Sequence, residues 1–318
     1  MEEDEHSDKH IHSEDCSHEA SLSEFEEAGK IASRVREDSK KLIMIGEPLL
    51  DIAETVEQMI NDEGAEMAFP VNISINEIAA HYTPEFDCTR TLEENSIVKI
   101  DLGTYLNGAI ADTAYTIDLS DDGRHDSLVK ASEEALAAAL GAIKPGANVG
   151  DIGGIIEEKI RARGFKPISN LTGHMIKTNE LHAGVEIPNI KTNDNYEFQV
   201  GDIFAVEPFA TTGSGFVTDL EQVEIFGLYI PHQVRMRQSR KILQYILENF
   251  GVMPFAERWV RKNPEFKSKL LVSAALKEML EAQIIRGYPV LRDGGNGLVS
   301  QAEHTVIVTE NGNKITTK

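Results

Sequence analysis

The chain has 318 residues, 41% of them hydrophobic, with a formal net charge of −22, two cysteines and ten histidines. That length carries a sizeable core, and the lack of any run of eighteen apolar residues excludes a membrane-spanning helix. Cys16 and Cys88 offer no disulfide framework, and the opening Met-Glu-Glu-Asp-Glu is the reverse of a secretory or transit peptide, so a cytoplasmic protein is expected.

Residues 1–20 hold eight acids against Lys9, together with His6, His10, His12 and His18. Such a segment cannot bury a core, and residues 1–22 are expected to form a disordered, solvated tail. Ser23-x-x-Glu26 then reads as a capping box opening a helix that runs to about residue 42. A second helix spans about 48–62 and stops at Gly64. Residues 68–74 enter a strand, and an apolar, helix-like run over 76–80 leads to His81.

The most informative stretch follows, at 97–119. Asn107-Gly108 between two apolar, β-branched runs is the signature of a hairpin with a two-residue type I′ turn. That register sets Asp101 opposite Ala114 and Asp112 opposite Gly103, so the two aspartates become diagonal neighbours on one face. Such pairs lie roughly 7–8 Å apart, within reach of a shared cation. Lys99 is the only local cation on that face. The hairpin alone also fits two solvated aspartates.

Beyond the hairpin, helices are expected at 125–143 and at 149–163, the second closed by Gly164. Short strands follow at 171–176, 202–207 and 222–226, then a late strand at 301–309 and a last one after Asn311-Gly312. Residues 229–292 look purely helical and read as an inserted subdomain, dividing a main domain of 23–228 and 293–318. Over 232–292, twelve Lys and Arg face five Glu. This basic module within an acidic chain either meets an anionic partner or simply carries charged outer helix faces. The whole is an α+β chain.

Asp101, Asp112, His174, Glu207 and Glu303 all stand in strand-like apolar contexts, where a carboxylate or imidazole is costly to bury without a compensating cation. Four carboxylates and one imidazole exceed a single zinc site and suit two divalent ions, Co, Mn, Fe or Zn, sharing ligands around a hydroxide. Hydrolysis of an amide or ester is the chemistry that follows. Phosphate substrates fit less well, because no glycine-rich phosphate loop accompanies the cluster. His81 and His182 look placed beside it, and Gly173 and Gly184 suggest close backbone approach next to His174 and His182.

The residues 68–84 ending in His81-Tyr-Thr-Pro, with Lys99-Ile-Asp101-Leu-Gly, Ile110-Ala-Asp112-Thr-Ala, Thr172-Gly-His174, Leu181-His182-Ala-Gly, Val206-Glu207-Pro-Phe and Ala302-Glu303-His-Thr, resemble the type 2 methionine aminopeptidases of the archaeal kind. The resemblance covers residues 23–318. It implies the pita-bread fold, with pseudo-twofold α/β halves around a metal pair and 229–292 as a winged-helix-like insertion. It implies that Asp101 chelates one ion and His174 with Glu207 the other, while Asp112 and Glu303 bridge both. Glu207 would shuttle the proton, His182 would steady the tetrahedral intermediate, and His81, the nucleophile trapped by epoxide inhibitors in the family, would contact substrate. Phe69, Leu181, Phe209 and Tyr288 would wall the methionine pocket. The implied partners are nascent peptides beginning with Met, and the expected oligomeric state is a monomer. The family's eukaryotic poly-basic N-terminal extension is absent, so any ribosome contact is expected through the basic insertion. An Xaa-Pro peptidase and a non-catalytic nucleic-acid-binding relative are the competing readings.

Overall fold

The computed structural model describes residues 19–230 and 232–318, so most of the acidic tail expected over 1–22 lies outside the described residues. Helix α1 (Leu22–Ser39) opens on Ser21, two residues before the expected cap. Ser21-x-x-Glu24 satisfies the same reciprocal pattern, and this phase puts Phe25, Ala28, Ala32 and Val35 on the buried side. Helix α2 (Leu49–Asp62) lies beside it. Strands β1 (Glu66–Ile75), β2 (Ile78–Ala80), β3 (Ile97–Leu106) and β4 (Ala109–Asp118) follow.

The hairpin β3–β4 has the expected register, Asp101 to Ala114 and Gly103 to Asp112. Asn107 and Gly108 both adopt positive φ, 52° and 92°, as its two-residue turn demands. Residues 76–80, expected as helical, instead form a turn at Asn76 (φ 55°) and then β2. Three apolar residues are too few for periodicity to separate helix from strand, and the edge of a later strand supplies the partner.

The second half repeats the plan. Helices α3 (Asp126–Ala142) and α4 (Val149–Ala162) pack together, and Asn148 caps α4 through Gly150 N–H. Strands β5 (Lys166–Pro167), β6 (Thr172–Ile176), β7 (Glu186–Pro188), β8 (Ile203–Val206), β9 (Phe209–Thr211) and β10 (Val217–Leu228) come next. After them lie α5 (Arg237–Asn249), β11 (Phe255–Ala256), α6 (Glu257–Lys262), α7 (Lys269–Glu281) and β12 (Ile285–Asp293). The chain ends with β13 (Val299–Gln301), β14 (His304–Thr309) and β15 (Gly312–Ile315).

Among the described residues all paired strands are antiparallel, in sheets ordered β1-β3-β4, β11-β10-β12-β2, β13-β9-β5 and β15-β14-β8-β6-β7. Helices α1 and α2 cover the first sheet, while α3 and α4 cover the strands of the second half. This is the α+β pita-bread plan, two helix-backed halves facing each other.

Residues 229–292 are not purely helical. Ile285–Asp293 returns as β12 between β10 and β2, with Pro289 opposite Val223 at a register irregularity that tolerates a missing donor. Gly287 and Pro289 hide this strand from a propensity reading. Helices α5, α6 and α7 enclose a core of their own around Ile242, Ile246, Phe255, Val260 and Met279. The late strand also breaks: residues 302–303 separate β13, which pairs β9, from β14, which pairs β8.

Candidate metal centre

Three sheet segments bring the five ligand-type residues together. Strand β14 pairs β8 with His304 opposite Val206, so Glu303, just before β14, and Glu207, just after β8, leave the same end of the ladder. On the other side of β8, His174 of β6 lies opposite Ala205. The hairpin joins through β4: Asp112 N–H donates to the Thr305 hydroxyl at 2.8 Å, and that hydroxyl donates to the Asp112 carbonyl at 2.8 Å. Glu303 N–H donates to the Ala114 carbonyl at 3.0 Å, and the Thr113 hydroxyl donates to the Glu303 carbonyl at 2.9 Å. The backbone N–H and C=O of both Asp112 and Glu303 are therefore satisfied within this seam.

Ligand atoms of Asp112, His174 and Glu303 lie within 4.8 Å of one another, and all three residues are buried. His174 Nε2 is 3.5 Å from Asp112 Oδ2 and 3.7 Å from Glu207 Oε1. Gln301 Nε2 donates to both Asp101 Oδ2 and Glu207 Oε2, each at 3.4 Å. The five expected residues therefore form one cluster, with Glu303 1% exposed behind the cavity wall. Asp101 Oδ1, Asp112 Oδ1, Glu303 Oε2 and His174 Nδ1 are buried and have no hydrogen-bond partner. The orphaned carboxylate oxygens are what a bound cation would satisfy, with His174 Nε2 the ring nitrogen that faces them.

The electrostatics agree. Burial first, then the Asp112 carboxylate, pushes the pKa of Asp101 well above its ordinary value. Burial followed by the charges of Asp112 and Asp101 does the same to Glu207, and burial followed by Asp112 and Glu207 to Glu303. Lys99 does not relieve this charge: its Nζ donates to the carbonyls of Val299 (2.9 Å) and Asn76 (3.2 Å). The one cation noted on this face of the hairpin thus gives the aspartates no counter-charge, because its ammonium pins β3 to β13 and the β1–β2 turn.

A cavity of about 350 Å³ opens onto Asp101, Asp112, His174 and Glu207. His81, His182 and all four expected pocket residues, Phe69, Leu181, Phe209 and Tyr288, line it. The His174 and His182 rings stand 4.4 Å apart, tilted by 53°. Loss of bulk water around the ring, then His174, His81 and Arg286, drives the His182 pKa down to about 3. His81 sits edge-on to Tyr288 at 5.7 Å, and its Nδ1 lies 3.2 Å from the Pro289 carbonyl, so Nδ1 carries the proton. Burial lowers the His81 pKa, which keeps that imidazole neutral.

Of the two glycines, Gly173 meets the expected close approach, since a Cβ there would fall 2.4 Å from the Ala205 carbonyl oxygen. Gly184 does not: a Cβ would touch nothing, and its φ of +83° is the reason for glycine. Sequence reasoning missed Gln301 and Thr305, whose short polar side chains carry no distinctive spacing.

Residues 23–310 match metallopeptidase family M24. The chain is 49% identical over 292 residues to a methionine aminopeptidase of Methanocaldococcus jannaschii, covering 92% of this chain and 97% of that one. It is 45% identical over 294 residues to a methionine aminopeptidase of Pyrococcus abyssi, covering 92% and 98%. The solved methionine aminopeptidase of Thermotoga maritima superposes with a TM-score of 0.69 at 22% identity, covering 94% of this chain and 98% of that one.

Proposed function

The chain belongs to metallopeptidase family M24, and on that premise we propose that its carboxylate–histidine cluster holds two divalent ions, Co, Mn, Fe or Zn, for cleavage of the first peptide bond of chains beginning with methionine. The activity is metal-dependent removal of N-terminal methionine. Asp101, Asp112, His174, Glu207 and Glu303 would hold the ions, an oxygen-rich set with one imidazole that suits these metals. When bound, such ions acidify a water and polarise the scissile carbonyl.

The chain's own residues supply the rest. Glu207, at the edge of the cavity, accepts the proton released by the attacking water and delivers it to the departing amine. His182, neutral in its crowded position, donates an N–H to the carbonyl oxygen as charge develops there. His81 holds its proton on Nδ1 against Pro289 and offers Nε2 to the substrate beside the scissile bond. Phe69, Leu181, Phe209 and Tyr288 give apolar walls of methionine size.

What carries the reading is the buried cluster itself: Asp112, His174 and Glu303 offer ligand atoms within 4.8 Å of one another, and Asp101, Asp112 and Glu303 each keep a buried carboxylate oxygen without a partner. An Xaa-Pro peptidase would share this cluster, and a nucleic-acid-binding relative would have no use for it. Chelator-stripped protein, reloaded with each divalent ion separately, is expected to cleave Met-Ala-Ser and to leave Leu-Pro intact. Preference for Leu-Pro, or no ion restoring turnover, would contradict the assignment.

We further read the protein as a cytoplasmic monomer acting on nascent N-termini, with 229–292 as a winged-helix-like subdomain. Arg235, Arg237 and Lys267 would touch ribosomal RNA from it. Co-sedimentation with ribosomes that ignores added salt would remove that contact.

A further inference from the structure

Among the described residues, His81 is one of the few non-glycine positions with a left-handed backbone, φ 64°. That conformation is unfavourable for an ordinary side chain and persists only where its surroundings over-determine it. The residues after His81 show how. Ile73 N–H donates to the Tyr82 carbonyl at 2.8 Å, and the Thr83 hydroxyl donates to the Val71 carbonyl at 2.8 Å, tying the segment to β1.

A second restraint arrives from α6. Arg258 Nη1 donates to the Thr83 hydroxyl at 2.6 Å, and Nη2 donates to Glu57 of α2. The other Glu57 oxygen accepts the Trp259 indole N–H at 2.9 Å, and Val71 N–H donates to Glu57 at 3.3 Å. Arg258 is 1% exposed, Glu57 4% and Thr83 0%.

A buried ion pair adds little net stability compared with apolar packing, so its stability alone does not account for it. Its particular consequence is orientation. With the guanidinium donating to Thr83 Oγ1, the threonine proton has one remaining target, the Val71 carbonyl. The chain of donors then runs in one direction, from α6 through Thr83 into β1.

We propose that Arg258 is a positioning residue for His81: from the helical segment it fixes the Thr83 hydroxyl against β1 and so holds the left-handed His81 backbone that presents the imidazole to the cavity. This rests on the role given to His81 above. Helix α6 thereby contributes to turnover through Thr83 rather than through the substrate. Misplacing a reacting group by about 1 Å can cost on the order of 100-fold in rate, so a small relaxation of this clamp would be felt.

The test uses the full-length, metal-loaded protein and four variants. Turnover of Met-Ala-Ser is read as kcat and KM. Separately, alkylation of His81 by an epoxide, followed by mass spectrometry, reports the presentation of the imidazole without any catalytic cycle. Thr83→Val is expected to lower kcat about tenfold or more with little change in KM, and to slow alkylation in parallel, while metal content stays at the parent level. Thr83→Ser keeps the hydroxyl and is expected to restore both rates. Arg258→Lys, which keeps the charge opposite Glu57 but loses the fork, is expected to fall on the same side as Thr83→Val and serves if that variant does not fold.

Parent-like kcat and alkylation in Thr83→Val or Arg258→Lys would overturn the proposal, as would a fall in kcat with alkylation unchanged. His81→Ala separates the two levels: slow His81→Ala with silent Thr83→Val removes only the clamp, whereas parent-like His81→Ala removes the role of His81 itself.

Discussion

Asp112 gives both of its backbone groups to one hydroxyl, that of Thr305, and keeps its carboxylate for the cluster. Replacing that hydroxyl by a methyl strands a buried N–H and a buried C=O, a cost of about 2–3 kcal/mol in stability. Thr305→Val is therefore expected to unfold at lower urea concentration and to bind divalent metal more weakly, by at least tenfold in a competition titration. Unchanged metal affinity would mean that Thr305 does not set the Asp112 carboxylate. At this scale the sequence was partly legible. The diagonal of Asp101 and Asp112 followed from turn chemistry alone, since a two-residue Asn-Gly loop leaves a single register. The placement of Lys99 on that strand face was visible in the sequence but its acceptors were not: the Val299 carbonyl is two hundred residues away. Gln301 was invisible for the same reason, as a lone amide acquires meaning only when Asp101 and Glu207 fold around it.

Among the elements, β6 and β8 control how close His174 comes to the carboxylates. Gly173 lets the two backbones touch, because a methyl there would fall 2.4 Å from the Ala205 carbonyl oxygen. Gly173→Ala is expected to cost about 1–3 kcal/mol, the usual range for overpacking, and to push His174 out of the cluster. The measurement is metal affinity alongside the thermal midpoint, and a variant with parent-like metal binding would show that β6 can shift without harm. Helices α2, α3 and α4 were readable from caps and periodicity. Strands β2 and β12 were not, for opposite reasons: β2 is too short to show a period, and β12 is broken by Gly287 and Pro289. Both exist because they complete one another's edge in the sheet with β10.

For the whole molecule, charge is the organising quantity. The positive excess of 232–292 is met largely within the chain: Arg258 pairs with Glu57, Arg261 with Asp87, Lys262 with Glu54 and Lys269 with Glu85. These four carboxylates stand outside 232–292, so part of the basic excess read from composition is answered by acidic residues of the same chain rather than by a separate partner. The centre poses the reverse problem, since its carboxylates have raised pKa values in the folded chain without metal. Raised folded values mean that the folded state binds more protons than the unfolded one above pH ~4, the ordinary carboxylate pKa, so stability falls as pH rises through that window. Bound divalent cations remove the repulsion. Chelation is therefore expected to lower the thermal midpoint more at pH 8 than at pH 5.5, and an equal shift at both would refute the account.

The centre itself is tested most directly by titrating one ion, Co or Mn, into chelator-stripped protein while following Met-Ala-Ser cleavage. Turnover should be absent without metal, rise with added ion, and remain absent at every concentration in Asp112→Asn, whose fold is checked by circular dichroism. Stripped protein that still removes methionine, or a folded Asp112→Asn that works at the parent rate, would contradict the claim that these side chains hold the catalytic metal.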